Sequence, residues 1–381
     1  MIIDEQQTMI RDTARQFARQ RLLPHAARWD RESHFPMEEI REMGRLGLMG
    51  INVPVEWGGA GADQVSTALA LEEIAAGDAA TSTVMSGHNS VGCMPIVKFG
   101  NDDQKRRFLR PMAEGRMLSA FALTEAQGGS DAAAMTTRAV RDGDHYVLSG
   151  TKQFITSGKN ADVAIIFART GSPGTKDGIS AFIAPTNAAG YTVLRVESKL
   201  GQRASDTCEI ALNDMRVPVE NRLGQEGEGL LIALSNLQGG RIGIAAQSVG
   251  IARAAYEAAL CYARERVVFG KKIIDHQAVG FRIAAMATRI ETARQMVLHA
   301  AALTVAGLPS LMEACMAKLV ASEAAEWVCS EAIQTFGGYG YLTDFPVERL
   351  YRDARVCRIY EGTNDIQHLV ILREIQKRQL G

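Results

Sequence analysis

The 381-residue sequence lacks the cysteine patterns of a disulfide-bridged or metal-binding protein. Its six cysteines are scattered, none forms a CxxC pair, and none has a metal-like spacing to histidine. Such scatter is typical of reduced, mostly buried thiols in a cytosolic protein. We therefore expect no metal site.

Long apolar runs and a strong net charge are also missing. No stretch approaches the ~18 uncharged apolar residues that a membrane-spanning helix requires, so we expect no membrane association. The formal net charge is −1 and no long basic stripe occurs, which argues against nucleic acid as the main partner. The N-terminus turns acidic at once and the C-terminus is not a peroxisomal tripeptide, so a cytoplasmic location is expected.

The glycine motifs of common nucleotide-binding folds are absent. No GxGxxG follows a strand-like segment, and no GxxxxGK[ST] occurs. These absences exclude a dinucleotide-binding sheet of the Rossmann kind and a phosphate-binding P-loop. A nucleotide cofactor, if one binds, must be held by another geometry.

The sequence does contain three successive textures. Residues 1–117 are mainly helical in pattern, and residues 118–226 form short β-rich runs separated by turns such as those at 142–144 and 176–178. Because no long helix separates these runs, antiparallel pairing in a small barrel or sandwich is expected. Residues 227–381 contain four long helical segments, near 230–266, 274–306, 310–336 and 345–377, which predict a four-helix bundle.

Three segments could carry chemistry. Residues 122–131 combine glycines with hydroxyl and carboxylate side chains, and Phe154 and Thr156 point to one face of a strand, where they could cover and hydrogen-bond a ring. Glu361 lies in a loop between helices, beside a glycine, where a carboxylate could act as a general base. Taken singly, each segment is better explained without a function: residues 122–131 as an ordinary turn, the Phe154–Thr156 segment as a half-buried strand end, and Glu361 as a solvated carboxylate.

Taken together, these segments resemble the acyl-CoA dehydrogenase family over essentially the whole chain. Seven segments occur in the family's order: 123–131, 152–156, 200–207, 240–245, 264–270, 334–338 and 352–363, the last ending in Tyr360-Glu361-Gly362-Thr363. The resemblance implies a helical N-terminal domain (1–117), a middle antiparallel β-barrel domain (118–226) and a C-terminal four-helix bundle (227–381). It also implies a homotetramer, commonly a dimer of dimers.

The resemblance further implies an FAD-dependent enzyme of fatty acid β-oxidation. Glu361 would take the α-proton of an acyl-CoA thioester while flavin N5 takes the β-hydride, giving a trans-2-enoyl-CoA. Two hydrogen bonds, from the Glu361 N–H and a ribityl hydroxyl, would stabilise the thioester oxygen. The reduced flavin would then pass its electrons to electron-transfer flavoprotein.

By the same resemblance, further residues would contact the two ligands. The expected cofactor contacts are Phe121, Leu123, Thr124, Gly129, Ser130, Phe154, Ile155, Thr156, Arg266, Phe269, Gln277, Gln334, Gly337, Gly338, Thr363 and Asp365, with Arg266, Phe269, Gln277, Gln334 and Gly338 holding the ADP part of an FAD bound mainly to a neighbouring subunit. The expected substrate contacts are Ser130, Gln238, Arg241, Gln247, Tyr360 and Gly362.

The acyl chain length is indicated by two positions that shape the distal pocket in relatives, Gln247 and Cys357. A glutamine at 247 resembles short-chain members and favours a short or branched short acyl chain. Gln238 stands where many members have an acidic residue that contacts pantetheine, and Ala126 stands where many have proline. Three alternatives are an acyl-CoA oxidase, a non-redox member of the same fold, and a flavin-free helical scaffold that binds CoA or a protein.

Overall fold

The computed structural model describes residues 3–171 and 178–379. Within these residues the chain forms a helical N-terminal part, a middle sheet and a helical C-terminal part, the order predicted from the sequence. No helix among the described residues is both long and apolar enough to cross a membrane.

The N-terminal part consists of short helices around one long buried helix. Asp4 begins the first helix with a capping box, in which its side chain accepts from the Gln7 N–H and Gln7 returns a bond to the Asp4 N–H. The helices are α1 (Glu5–Phe17), α2 (Ala26–Glu32), α3 (Met37–Arg45), α4 (Gln64–Gly77), α5 (Ala79–Gly87), α6 (Met94–Phe99), α7 (Asp102–Gln104) and α8 (Arg110–Ala113).

The helical pattern of the N-terminal part is interrupted at Asp78, between α4 and α5. This residue is extended, and its side chain accepts a hydrogen bond from the Thr81 N–H at 2.8 Å, so it ends α4 and caps α5. Beyond α5 the chain continues through a π-helical turn, His88–Cys93, into α6. Such turns are frequent at functional sites.

The middle part is one sheet in the order β6-β7-β3-β2-β4-β5-β8, with β1 paired in parallel to β4. The turn expected at 142–144 joins β2 to β3 as a hairpin, whereas the turn expected at 176–178 lies largely outside the described residues. The strands are β1 (Ser119–Ala122), β2 (Arg138–Asp142), β3 (His145–Thr156), β4 (Val163–Arg169), β5 (Ile179–Pro185), β6 (Tyr191–Val196), β7 (Thr207–Pro218) and β8 (Arg222–Leu223).

The expected middle β domain is present, but within the described residues its sheet is open rather than closed into a barrel. Closure would require β6 to pair with the opposite edge, but that edge is β8, which has two residues and pairs with β5. The expectation of antiparallel pairing holds for most of the sheet, and parallel pairs occur where β1 and the start of β2 meet β4.

The C-terminal part is a bundle in which α11 packs against α9, α10 and α13. The fourth helical segment, expected near 345–377 with Glu361 in a loop between helices, is two helices, because positive φ angles at Glu361 (53°) and Gly362 (86°) interrupt the helical path. The elements are α9 (Gly229–Glu265), a hairpin of β9 (Val267–Val268) and β10 (Lys271–Lys272), α10 (Gln277–Val305), α11 (Leu311–Phe336), α12 (Pro346–Ala354) and α13 (Asn364–Gln379).

Helix α9 joins the three parts. It packs against α4 and α5 on the N-terminal side, against α11 within the bundle, and against β5 of the sheet. Twenty of its residues are buried, which explains why its sequence is Ala- and Gly-rich rather than amphipathic. This packing leaves a cavity where the three parts meet.

Candidate active site

A cavity of about 630 Å³, here called the central cavity, is lined by residues from all three parts of the chain. It brings together segments that are more than 200 residues apart in sequence, which is the arrangement expected of a ligand site between domains. The lining includes these residues predicted from the sequence: Phe121, Leu123, Thr124, Gly129, Ser130, Phe154, Thr156, Arg241, Tyr360, Glu361 and Gly362.

The sheet side of the central cavity presents several hydroxyls, among them those of Thr124, Ser130 and Thr156, and the ring of Phe154. Within the described residues, no hydrogen-bond partner exists for the side chains of Thr124, Ser130 and Thr156. Phe154 is 62% exposed and has φ 58°, at an irregularity in the β3–β7 register. Such an irregularity re-aims a side chain. Ile155 is 2% exposed and belongs to the core, so it does not line the cavity.

A buried ion pair, not anticipated from the sequence, connects the two segments of this wall. Lys152 on β3 donates to Glu125 Oε1 at 2.8 Å, and both residues are buried. Burial opposes the ionisation of Glu125, yet the Lys152 ammonium and hydrogen bonds from Thr136 and Thr137 lower its pKa to about 2. The carboxylate thus fixes the loop that carries Thr124 and Ser130.

The helical side of the central cavity presents Glu361. Its Oε2 is buried and has no hydrogen-bond partner among the described residues, and no described atom accepts from its backbone N–H. Burial raises the pKa of Glu361 to about 7, although the nearby cations of Arg241 and Lys318 act to lower it. A carboxyl group poised near neutral pH is suited to accept a proton.

Space for this carboxylate is provided by a glycine on α9. A Cβ atom at Gly240 would lie 2.7 Å from Glu361 Oε2 and 2.9 Å from Oε1, which no side chain could tolerate without displacing Glu361. At the preceding residue, Gly239, a Cβ would meet nothing within 4 Å. The glycine pair is therefore not equivalent, and Gly240 is the one whose missing side chain shapes the cavity.

Tyr360 lines the cavity and connects it to a buried polar network. Its hydroxyl donates to Gln247 Oε1 at 2.6 Å, and Gln247 Nε2 donates to Thr83 Oγ1 at 2.6 Å. Gln247 and Cys357 are fully buried and do not line the cavity. Both act on its shape through Tyr360, whose hydroxyl lies 3.9 Å from Cys357 Sγ.

The lining residues missed at the sequence level include two ionisable ones, His88 and Arg373. His88 is buried in the π-helical turn and accepts at Nδ1 from the Ser119 N–H (3.2 Å), and burial lowers its pKa to about 4. Arg373 lies on α13 on the face formed by Ile366, Leu369 and Val370, which all line the cavity. The three- to four-residue spacing of these side chains could have indicated from the sequence that they share one helix face. The π-helical turn that carries His88 had no comparable sequence pattern.

The other predicted site residues lie elsewhere. Arg266, Gly337 and Gly338 line a shallower cavity of about 490 Å³, here called the bundle-end cavity, which also contains Tyr262, Thr335, Phe336 and Tyr339. Phe269 is 93% exposed, and Gln277, Gln334 and Asp365 are exposed. Thr363 caps α13 by accepting from the Ile366 N–H, and Gln238 lines a separate cavity, where it donates to Ser310 Oγ at 2.6 Å.

The comparisons with known proteins identify the family. The N-terminal, middle and C-terminal domain models of acyl-CoA dehydrogenases match residues 4–116, 120–215 and 227–376. The chain belongs to the acyl-CoA dehydrogenase family. Members of this family are FAD-dependent oxidoreductases.

Similar family members share nearly the full length of the chain. An acyl-CoA dehydrogenase of Bacillus subtilis is 49% identical over 97% of this chain and 98% of its own. A short-chain specific acyl-CoA dehydrogenase of Clostridium acetobutylicum is 45% identical over 98% of both chains. The structure of butyryl-CoA dehydrogenase from Megasphaera elsdenii superposes with a TM-score of 0.96, at 40% identity and with 99% of both chains covered.

Proposed function

We propose that this acyl-CoA dehydrogenase removes the α-proton of a short or branched short acyl-CoA with Glu361 and forms a trans-2-enoyl-CoA. The observation that carries the proposal is the composition of the central cavity. Within the described residues, a carboxylate with a buried, unpartnered oxygen lines one side, and the unpartnered hydroxyls of Thr124, Ser130 and Thr156 line the other together with the exposed ring of Phe154. An acid–base group and a ring-binding surface thus share one cavity.

The residues of the sheet side fit a flavin ring. Thr124, Ser130 and Thr156 offer donors and acceptors that no described residue uses, and Phe154 offers an aromatic face. We propose that these residues hold the isoalloxazine of FAD. When bound, FAD supplies an acceptor for the β-hydride.

Glu361 contributes through its side chain and its backbone. The α-proton of a thioester is too weak an acid for a carboxylate in water, so the site must stabilise the developing enolate. The backbone N–H of Glu361, free of partners within the described chain, can donate to the thioester oxygen. A preorganised donor of this kind contributes about 3 kcal/mol to transition-state stabilisation. Expulsion of water by the substrate raises the basicity of the carboxylate further.

Replacement of the base tests this proposal. Glu361→Gln keeps the size of the side chain but removes its basicity, so flavin bleaching by butyryl-CoA under anaerobic conditions should slow by about 10³-fold or more, since general-base catalysis contributes up to about 10⁴-fold. The FAD content and visible spectrum of the variant should match the wild type. Bleaching at the wild-type rate would assign proton abstraction to another group.

The acyl chain length is proposed from Tyr360 and the residues behind it. The Tyr360–Gln247–Thr83 hydrogen bonds form a rigid polar boundary beside the cavity, and a long alkyl chain would have to desolvate or displace it. Bleaching rates should therefore be highest for C4 and isobutyryl thioesters and fall through C6 to C8. A maximum at C8 would contradict the short-chain assignment.

The other expected properties remain proposals. These are electron-transfer flavoprotein as the electron acceptor, a homotetramer built as a dimer of dimers, a cytoplasmic location, and domain limits after residues 117 and 226. Reduction of purified electron-transfer flavoprotein by the enzyme and butyryl-CoA tests the acceptor, and sedimentation of the FAD-loaded protein tests the assembly.

A further inference from the structure

The loop that carries Glu361 has an unfavourable backbone conformation. Glu361 has φ 53° and Gly362 has φ 86°, so two consecutive residues are left-handed. For a residue with a Cβ this conformation costs about 1–2 kcal/mol, and it persists where surrounding contacts fix it. The contacts that hold this loop therefore decide where the carboxylate lies.

Two buried side chains hold the loop by its carbonyl groups. Gln367 on α13 donates from Nε2 to Gly362 O at 2.8 Å and to Glu361 O at 3.3 Å. Lys318 on α11 donates from Nζ to the same Gly362 O at 2.9 Å and to Asn364 Oδ1 at 3.0 Å. Both side chains are 0% exposed. The peptide that follows Glu361 is thus clamped from two helices.

Lys318 differs from Gln367 in carrying a charge that no carboxylate neutralises by direct contact. Within the described part of the chain its ammonium forms no ion pair; its partners are a carbonyl and an amide oxygen. Burial lowers the pKa of Lys318 to about 8, while Cys357 and Glu361 act to raise it. A buried ammonium without a paired carboxylate is costly, which suggests that it serves a purpose beyond packing.

We propose that Lys318 is a positioning residue for the proposed reaction: it anchors the carbonyl of Gly362 and supplies the buried positive charge that keeps Glu361 in its carboxylate form. The inference rests on Glu361 being the base. Gln367 shows that a neutral donor can anchor the loop equally well. Anchoring therefore does not explain the positive charge of Lys318, whereas an electrostatic effect on Glu361 does.

The other ionisable groups near Glu361 contribute a nearly constant charge over the pH range of the test. Arginines stay protonated at all relevant pH values, His88 is neutral above about pH 4, and burial raises the pKa of Cys357 and of Tyr360. Below about pH 8 Lys318 is protonated, so replacing its side chain by a neutral one should be the main change in the electric field at Glu361. The ionisable groups that line the cavity or approach Glu361, besides Lys318, are His88, Asp131, Arg241, Cys357, Tyr360 and Arg373.

The test is the pH dependence of anaerobic flavin bleaching by saturating butyryl-CoA, with Lys318→Met compared with Gln367→Met. Loss of a nearby cation should move the midpoint of the wild-type profile upward by about one pH unit, because an opposite charge within a few ångströms shifts a carboxyl group by 1–3 units. The rate should therefore fall about tenfold at pH 6 but only about twofold near pH 8. Gln367→Met should slow bleaching by a similar factor at every pH and leave the midpoint in place.

Two further variants keep the test decisive if Lys318→Met folds poorly. Lys318→Arg retains the charge and should keep the wild-type midpoint even where its rate is lower, and Lys318→Gln retains a donor but should shift the midpoint as Met does. FAD content and thermal denaturation report on folding separately. An unmoved midpoint in the Met and Gln variants, or a shifted one in Arg, overturns the electrostatic role. If Glu361→Gln bleaches normally, the proposed base fails instead, whatever Lys318 does.

Discussion

Residues predicted to contact one cofactor line both the central cavity and the bundle-end cavity, but the two cavities differ in how fully this chain forms them. The central cavity draws residues from all three parts of the chain, and its key groups are buried or fixed by buried neighbours. The bundle-end cavity draws on the ends of α9 and α11 and on the segment between α9 and α10, and Phe269 beside it is 93% exposed. A single chain can therefore hold the reacting groups of the central cavity in place.

The difference suggests that the two cavities control different quantities. Substitutions in the central cavity should change the rate of proton abstraction, because they move a reacting group. Substitutions in the bundle-end cavity should change cofactor affinity, because the groups there are solvated and contact nothing that reacts.

After replacement of the base itself, the largest effect is expected from the glycine that accommodates it. Gly240→Ala places a methyl group where a Cβ would lie 2.7 Å from Glu361 Oε2, so the carboxylate must move. A displacement of about 1 Å can cost about 10² in rate, and anaerobic bleaching by butyryl-CoA should fall by that order.

The neighbouring glycine provides a matched control. Gly239→Ala makes the same chemical change one residue earlier on α9, where a Cβ meets nothing within 4 Å. It should leave the bleaching rate within about twofold and raise helix stability slightly. Equal losses in the two variants would mean that helix distortion, rather than contact with Glu361, causes the effect.

A smaller effect, on affinity, is expected in the bundle-end cavity. Arg266→Ala removes a cation that lies 5.7 Å from the Tyr339 ring and lines the cavity. If Arg266 binds the ADP part, FAD affinity should fall about tenfold, as expected for loss of one charge-assisted hydrogen bond. The bleaching rate of the FAD-saturated variant should not change. Calorimetric titration of flavin-stripped protein measures the affinity.

Arg264→Ala serves as the comparison for this prediction, since Arg264 is exposed and does not line the cavity. It should bind FAD as the wild type does. A loss of bleaching rate in FAD-saturated Arg266→Ala would contradict the separation of the two cavities into rate and affinity.

The smallest effect concerns stability and pH. Burial raises the folded-state pKa of Glu361 to about 7, above its ordinary value of 4.5, so its stabilising contribution is complete below about pH 4.5 and is lost as the pH rises through 7. Glu361→Gln should therefore melt a few degrees higher than the wild type at pH 8, by thermal denaturation, with the difference shrinking toward pH 5. A difference independent of pH would show that the folded-state carboxyl group is not perturbed.

Several features of the fold were readable from local sequence. The hairpin at residues 142–144 depends on neighbouring residues, and it occurs as predicted. The split at Asp78 was also encoded locally, by a capping side chain that the periodicity of an Ala-rich run obscured. The open sheet was not readable, because closure depends on whether the two edge strands meet.

The sequence by itself determined the order of helical, sheet and helical parts and marked Glu361 as a loop carboxylate beside a glycine, because periodicity and caps are local properties. Only the tertiary structure decided that this carboxylate is buried, that Gly240 makes room for it, and that Lys318, 43 residues earlier, reaches its loop. The physical reason is that desolvation and charge act through space, so a pKa near 7 depends on what the fold packs around the group rather than on its neighbours in the chain.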